Sequence, residues 1–407
     1  MTGALWNLLP GLHPHFRVDV VAFAPRSGTR RLSMTRSGVP VTIMPGAGAR
    51  MILPPAWLHA RFQRDPPTAV LVHAPLFAAS AVLEALQPYR HDCPIAIYAP
   101  FEGEPTAPSI VPRLSKTDLC ILYTRAARDA VARLHQIHPS NDAPPLLRVL
   151  GHGVDHTHFR PLHADEHLRR RMARRARLPE RLETPDAFVV LNVNRDYGRK
   201  RLDLTIEGFS RFAITRPDAF LVLHTGARTQ TSDQHLQSLL RAGGVGDRIF
   251  LSPEDPGEAP LSLSALNQLY NAADVGLTTA EGEGWGLTAC EHAATGAAQI
   301  VPGHAGFREI WGSAAIHLPC GPVQDRPFEL SRMSAPHVEG VSQALADLHD
   351  APAQRRRWAS LAHDHIRQPS FGWNSLGATL CDHLREIIHA HATTARRPSL
   401  GRGAGSV

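Results

Sequence analysis

The sequence predicts an α/β protein made of two successive parallel-sheet units, and two observations carry that prediction. From residue 17 to residue 135 one rhythm repeats: a short apolar or β-branched run, a turn, then a stretch with helical period. The rhythm breaks at the polar, proline-rich stretch 139–145 and restarts at Phe188-Val189-Val190-Leu191-Asn192-Val193. The length of 407 residues suits two cores better than one. The expected division is 1–150, 151–370, a helix over 371–390 that packs back on the first unit, and a disordered tail over 391–407.

In the first unit, strands are predicted at 18–23, 69–72, 95–98, 119–123 and 146–150, with helices at 77–86 and 126–134. In the second, strands are predicted at 188–193, 220–224, 248–251, 275–278 and 299–301. These runs are continuously apolar rather than alternating, which is the pattern of parallel strands covered on both faces.

Apolar residues make up 43 % of the chain and charged residues 20 %, the balance of a packed globular protein. No apolar run approaches the ~20 residues of a membrane span, and Met1-Thr2-Gly3-Ala4 carries no basic secretory leader. A cytoplasmic protein is expected. The five cysteines are odd in number and scattered, so free thiols are expected. The net charge is +6, and of 43 basic residues only Lys116 and Lys200 are lysines. The run 168–177 holds six arginines. A solvated helix face is the plain reading of it; peripheral contact with an anionic membrane surface, at its inner face, is the sharper one. The pI of 9.4 raises nucleic-acid binding, but aromatic content is only 6 % and none is interleaved with the arginines for base stacking.

The most informative segment is Glu281-Gly282-Glu283-Gly284-Trp285-Gly286-Leu287-Thr288-Ala289-Cys290-Glu291-His292-Ala293. It follows a predicted strand and opens a helical stretch that stops near Gly296. Its glycines let a ligand approach the backbone. The amides from Trp285 to Thr288 would sit at a helix N-terminus, where unpaired N–H groups bind anions. Glu283 and Glu291 bracket that site, and carboxylates accept paired hydrogen bonds from vicinal hydroxyls. Together these describe a site for a sugar diphosphate; a plain surface turn is the competing reading. Arg195 and Lys200 follow the first strand of the second unit, at its carboxyl end, where open α/β sheets bind ligands. They can clamp a diphosphate, although arginines after a strand are often only solvated.

Glu283-x7-Glu291 enclosing Gly-Trp-Gly-Leu, Arg195-x4-Lys200, His152-Gly153-Val154-Asp155 with Phe159-x-Pro161, and Phe371-Gly372-Trp373 together resemble the family-four retaining glycosyltransferases of the GT-B fold. The resemblance is strongest over residues 146–311. It implies two Rossmann-like domains facing across a cleft, the first selecting the acceptor and the second binding a nucleoside-diphosphate sugar. It implies transfer of a hexose-type sugar to a hydroxyl acceptor with retention, no metal and no further cofactor. By the same resemblance Arg195 and Lys200 hold the donor phosphates, Glu291 the ribose, and Glu283 with the turn of Trp285, Gly286, Leu287 and Thr288 the donor sugar. Removing Lys200 or Arg195 is then expected to lower turnover on the order of 10²–10³-fold.

The chain departs from that family in two places. No glycine-rich loop follows a first strand, and the histidine expected after a strand of the first unit is absent from Ile97-Tyr98-Ala99-Pro100-Phe101-Glu102-Gly103-Glu104-Pro105. Glu102 is the nearest candidate to face the reacting carbon or the acceptor, and His73 is the second. A degenerate sugar-nucleotide-binding protein of the same fold is the alternative, with a basic nucleic-acid binder behind it. A glycan, a lipid-linked sugar and a small molecule all stay open as acceptor, as do the donor base and sugar. His163-x-x-Glu166-His167 has the spacing of an inverted zinc-protease motif, but the arginines that follow oppose a dication, and a solvated helix start is expected. His363 and His365, two apart on a helix, read as a surface pattern.

Overall fold

The computed structural model describes residues 2–23, 32–36, 38–44, 51–184, 186–226, 230–242, 244–252 and 261–395. In the second unit six parallel strands lie in the order Ile249–Leu251, Ala219–His224, Phe188–Val193, Val275–Leu277, Ala298–Pro302, Ile316–Leu318. By chain order within the unit this is 3-2-1-4-5-6, the doubly wound arrangement. The order reverses between Phe188–Val193 and Val275–Leu277, so the crevice opens where those two strands end. Phe209, Phe212, Leu221 and Leu345 fill one face, and Tyr270, Phe307 and Trp311 the other.

In the first unit, Val70–His73, Ile95–Ala99, Leu119–Leu122 and Leu146–Val149 form a parallel sheet in that order. The predicted first strand pairs elsewhere. Val20–Phe23 lies parallel to Val39–Met44, which pairs antiparallel with Leu32–Arg36. The expected all-parallel sheet is corrected here: the short link through Gly38, at φ 79°, allows only a hairpin, because a parallel partner needs a long crossover.

The arginine run also differs from expectation. In the helix Glu166–Arg177, Arg169, Arg170 and Arg174 are buried. Arg170 and Arg174 reach the two oxygens of Asp274 at 2.6 and 2.7 Å, and Asp274 also accepts from the Val189 amide at 2.7 Å. Asp274 precedes a central strand, away from water, and its charge requires buried counterions. Arg171 and Arg175 stay exposed, so the run is no continuous basic face for a membrane. His363 and His365 are half-buried rather than surface residues, and His365 Nε2 lies 2.7 Å from the Ile310 carbonyl. All five cysteines are free thiols. No helix among the described residues is long and apolar enough to cross a membrane.

The helix Trp373–Ala395 returns to pack on Thr2–Leu12, with Leu8, Leu9 and Leu12 against Leu376, Leu380 and Leu384. The two helices cross at glycines: a Cβ on Gly11 would stand 2.6 Å from the Gly377 Cα. Residues 391–395, expected in the tail, are helical, and the rest of that tail lies outside the described residues. A hairpin of Gln324–Arg326 and Ser331–Met333 also crosses between the units, because Ser331–Met333 pairs with Glu104–Pro105.

Candidate active site

A buried polar network fixes the ends of the two strands at the crevice. Asn194 Nδ2 donates to Asn192 Oδ1 at 2.7 Å, Asn192 Nδ2 to Thr205 Oγ1 at 2.8 Å, and the Thr205 and Thr279 hydroxyls meet at 2.6 Å. The Thr279 hydroxyl is 2.8 Å from the carbonyl oxygen of Arg201, a non-glycine residue at φ 50° in the left-handed region. Such backbone is retained only where its surroundings over-determine it. The network thereby sets the 3₁₀ turn Gly198–Lys200 and aims its side chains at the glycine-rich loop.

Arg199 Nη1 donates to the Gly282 carbonyl at 2.8 Å, and its Nη2 lies 3.1 Å from Glu102 Oε2. Lys200 pairs with Glu283. From the other lobe, Glu102 Oε2 also accepts from the Gly284 amide at 3.0 Å. Of the residues expected in the site, Lys200, Glu283 and Glu102 therefore converge. Arg195 does not join them: it is exposed and makes no ion pair among the described residues. Arg199 stands in the crevice instead.

The loop then turns at Gly286, φ 84°, into the helix Leu287–Ala294. The Ala289 and Cys290 amides bond to the Gly286 carbonyl at 3.1 and 3.3 Å, whereas those of Leu287 and Thr288 make no hydrogen bond among the described residues. Those two are the open donors of the first turn. The Trp285 side chain does another job. It packs on Gly151, where a Cβ would run into the indole, and its ring centroid is 6.0 Å from those of His152 and Phe371. Trp285 thus offers only backbone to the loop. Gly282 is equally constrained, since a Cβ there would meet the Glu102 carbonyl.

Burial would raise the Glu283 carboxyl, but Lys200 and Arg199 prevail and hold it below its ordinary range. Glu102 is raised, first by burial and then by the charge of Glu283. Burial lifts Glu291 to about 7, with the Tyr270 hydroxyl donating to it at 2.9 Å and pulling the other way. His304, stacked on Phe307 at 4.9 Å beside Glu283, is pushed down to about 4 by burial and is neutral. Beneath the loop, His73 Nε2 lies 3.1 Å from the Tyr123 hydroxyl, and the Tyr98 hydroxyl 2.8 Å from His152 Nδ1. Burial lowers His73 to about 4 and His152 to about 3, so this floor is uncharged. Arg199, Tyr123 and His304 are the site residues that sequence reasoning missed. Only Arg199 had a signal, as the cation beside Lys200.

No protein-family model matches the chain. The solved sucrose-phosphate synthase from Thermosynechococcus elongatus is similar over 94 % of this chain and 92 % of its own, with a TM-score of 0.70 at 15 % identity. The fold is GT-B. HepE from Anabaena, solved with UDP and glucose, shares this GT-B fold with a TM-score of 0.64 at 15 % identity, over 86 % of this chain and 87 % of its own. In sequence, the chain is 31 % identical over 186 residues to the mannosylfructose-phosphate synthase of Agrobacterium fabrum. That match spans 39 % of this chain and 40 % of the relative's length. In GT-B terms the crevice just described lies between the two lobes, with Glu102 contributed by the first and the glycine-rich loop by the second.

Proposed function

We propose that the chain is a glycosyltransferase that moves a hexose-type sugar from a nucleoside-diphosphate donor to a hydroxyl of a sugar acceptor, with retention and without a metal. One observation carries this reading: two cations, Arg199 and Lys200, and the open first-turn amides of Leu287 and Thr288 bracket one glycine-rich loop between the lobes. The relatives support it, since each is named for sugar-phosphate synthesis or was solved with UDP and glucose.

A diphosphate reaching the loop would share the Lys200 ammonium, freeing a Glu283 oxygen to accept from a donor-sugar hydroxyl. Arg195, exposed at the same strand end, adds a cation for the outer phosphate. Glu291 accepts from the ribose diol, held in place by Tyr270. As the bond from anomeric carbon to phosphate oxygen lengthens, negative charge grows on that oxygen. Fixed cations and amides stabilise it more than the ground state, which is the condition for catalysis. The leaving phosphate then takes the proton of the acceptor hydroxyl while the new bond forms on the same face. No enzymic nucleophile is required, and anomeric configuration is kept. Glu102, across the cleft, orients that acceptor hydroxyl or the donor ring, with His73 and Tyr123 as the uncharged floor.

A thermal-shift panel of UDP, GDP, ADP and their sugars tests the proposal, with UDP first because of the HepE complex. A ligand at 100 times its dissociation constant adds about 2.7 kcal/mol, so one nucleotide should stand out. Its sugar conjugate should then yield free diphosphate and a glycosylated product. Binding without release of diphosphate would leave only a sugar-nucleotide-binding protein, and no shift with any nucleotide would end the reading altogether.

A further inference from the structure

The hairpin of Gln324–Arg326 and Ser331–Met333 leaves the second unit after its last parallel strand and is held on both lobes. On the first lobe, Ser331 and Arg332 pair with Pro105 and Glu104, and the Leu330 carbonyl accepts from the Thr106 amide at 3.1 Å. On the second, Arg326 Nη2 donates to Glu281 Oε2 at 2.7 Å and the Ser334 amide to the Glu281 carbonyl at 3.0 Å. The hairpin is therefore tied to the glycine-rich loop on one side and to the strand just past Glu102 on the other.

Its tip is the 3₁₀ turn Pro327–Glu329, closed by Leu330 at φ 56° in the left-handed region. Phe328 on that tip is 96 % exposed, and Tyr197, which reaches the tip at Glu329, is 58 % exposed. The Tyr197 hydroxyl donates to Glu329 Oε1 at 3.2 Å, and the Arg199 guanidinium carbon stands 6.0 Å from the Tyr197 ring centroid. Contacts thus run unbroken from the hairpin tip through Tyr197 to Arg199, and on to Glu102 and Glu283. A single exposed apolar side chain is ordinary on a protein surface. An exposed phenylalanine on a turn anchored to both lobes and carrying a strained residue, with a second exposed aromatic hydrogen-bonded to the next residue of that turn, forms a built feature. An aromatic face offers apolar area to the C–H face of a pyranose. Because Tyr197 lies beyond Arg199, such a ring would not be the one that receives the new sugar.

We propose that this tip is an acceptor subsite, in which Phe328 and Tyr197 stack a sugar ring of an oligosaccharide acceptor one or more residues away from the glycosylated hydroxyl. The proposal rests on the glycosyltransferase reading and adds the class of acceptor to it. The probe is an array of neutral linear mono- to hexasaccharides, incubated with the full chain in saturating nucleoside diphosphate, and the tightest ligand is then titrated by calorimetry. Oligosaccharides should bind more tightly than monosaccharides. Phe328→Ala should weaken them by about tenfold or more while leaving the melting temperature and the diphosphate affinity unchanged, and Phe328→Trp should retain binding. Equal affinity of the wild type and Phe328→Ala overturns the proposal, as does a monosaccharide that binds as tightly as any oligosaccharide, or an array that binds nothing. Self-association that disappears in Phe328→Ala assigns the tip to a second copy of the chain and overturns it too. Loss of diphosphate binding in the wild type would instead sink the underlying reading, so the two failures are distinguishable.

Discussion

Arg195, Arg199 and Lys200 lie within six residues, yet they meet three different surroundings. Lys200 is held by Glu283, Arg199 by Glu102 and the Gly282 carbonyl, and Arg195 by solvent. Motif spacing selects Arg195 and Lys200; what sends Arg199 inward is the 3₁₀ turn fixed by Thr279, which no spacing encodes. Lys200→Ala should lower turnover on the order of 10²–10³-fold, and Arg195→Ala by clearly less, both read as diphosphate release. Equal losses would return Arg195 to the centre of the site. Glu291 gives a pH prediction. Burial raises it to about 7, so it is largely protonated in mildly acidic solution and a carboxylate above. The carboxylate is the better acceptor for ribose hydroxyls, so diphosphate affinity should rise between about pH 6 and about pH 8, and Glu291→Gln should flatten that rise. Stability has the opposite slope: a folded-state value above the ordinary carboxylate range favours the fold at low pH, and that contribution is lost as pH passes through about 7. A wild-type titration with flat affinity over that window would remove Glu291 from the nucleotide site.

At the level of elements, the helix Glu166–Arg177 is where composition misleads. Its arginines read as solvated because charge runs usually are, yet Arg170 and Arg174 serve one buried carboxylate. Asp274, lying just before a central strand, is legible as a strand boundary and not as their partner, since the pairing spans about a hundred residues and is decided by how the helix docks. Burial would raise Asp274, but Arg170 and Arg174 outweigh it and keep it ionised. Asp274→Ala leaves the buried Arg174 guanidinium without a counterion and Arg170 with Glu166 alone, and should destabilise the chain by about 3–5 kcal/mol, measured by denaturant unfolding. A cost below about 1 kcal/mol would match an exposed pair instead. The glycine-rich loop is the reverse case. Its strand, its turn at Gly286 and its helix are all written locally, and the structure forms them in that order.

Across the whole molecule the lobes are held together by contacts that no single segment announces. Glu309, in the helix Ala305–Trp311 of the second lobe, accepts from the Arg125 and Ala126 amides at 2.7 and 2.8 Å, occupying the N-terminus of the first-lobe helix Arg125–Ile137. Two hydrogen bonds to a charged acceptor, favoured by the helix dipole, tie the lobes on that side. Glu309→Ala should shift the balance toward an open cleft by about 1.5–3 kcal/mol. The expected readouts are a larger radius of gyration in solution scattering and faster hydrogen exchange at residues 125 and 126. An unchanged radius together with unchanged exchange would mean that this contact does not set the cleft opening. The helix Trp373–Ala395 on Thr2–Leu12, the hairpin pairing with Glu104–Pro105 and the bonds of Glu102 to Arg199 and the Gly284 amide are further ties.

The sequence alone determined the repeating strand-and-helix rhythm, the parallel strands of the second unit and the residues of the glycine-rich loop, because each depends on periodicity, turn chemistry or spacing within a few dozen positions. The tertiary structure alone decided that Arg199 rather than Arg195 faces Glu102, that Trp285 packs between the lobes on Gly151, and that a short hairpin bridges the cleft. Those outcomes depend on which distant surfaces meet. Strands of two or three residues, single side-chain directions and buried counterions carry too little local signal to be read before the chain has folded around them.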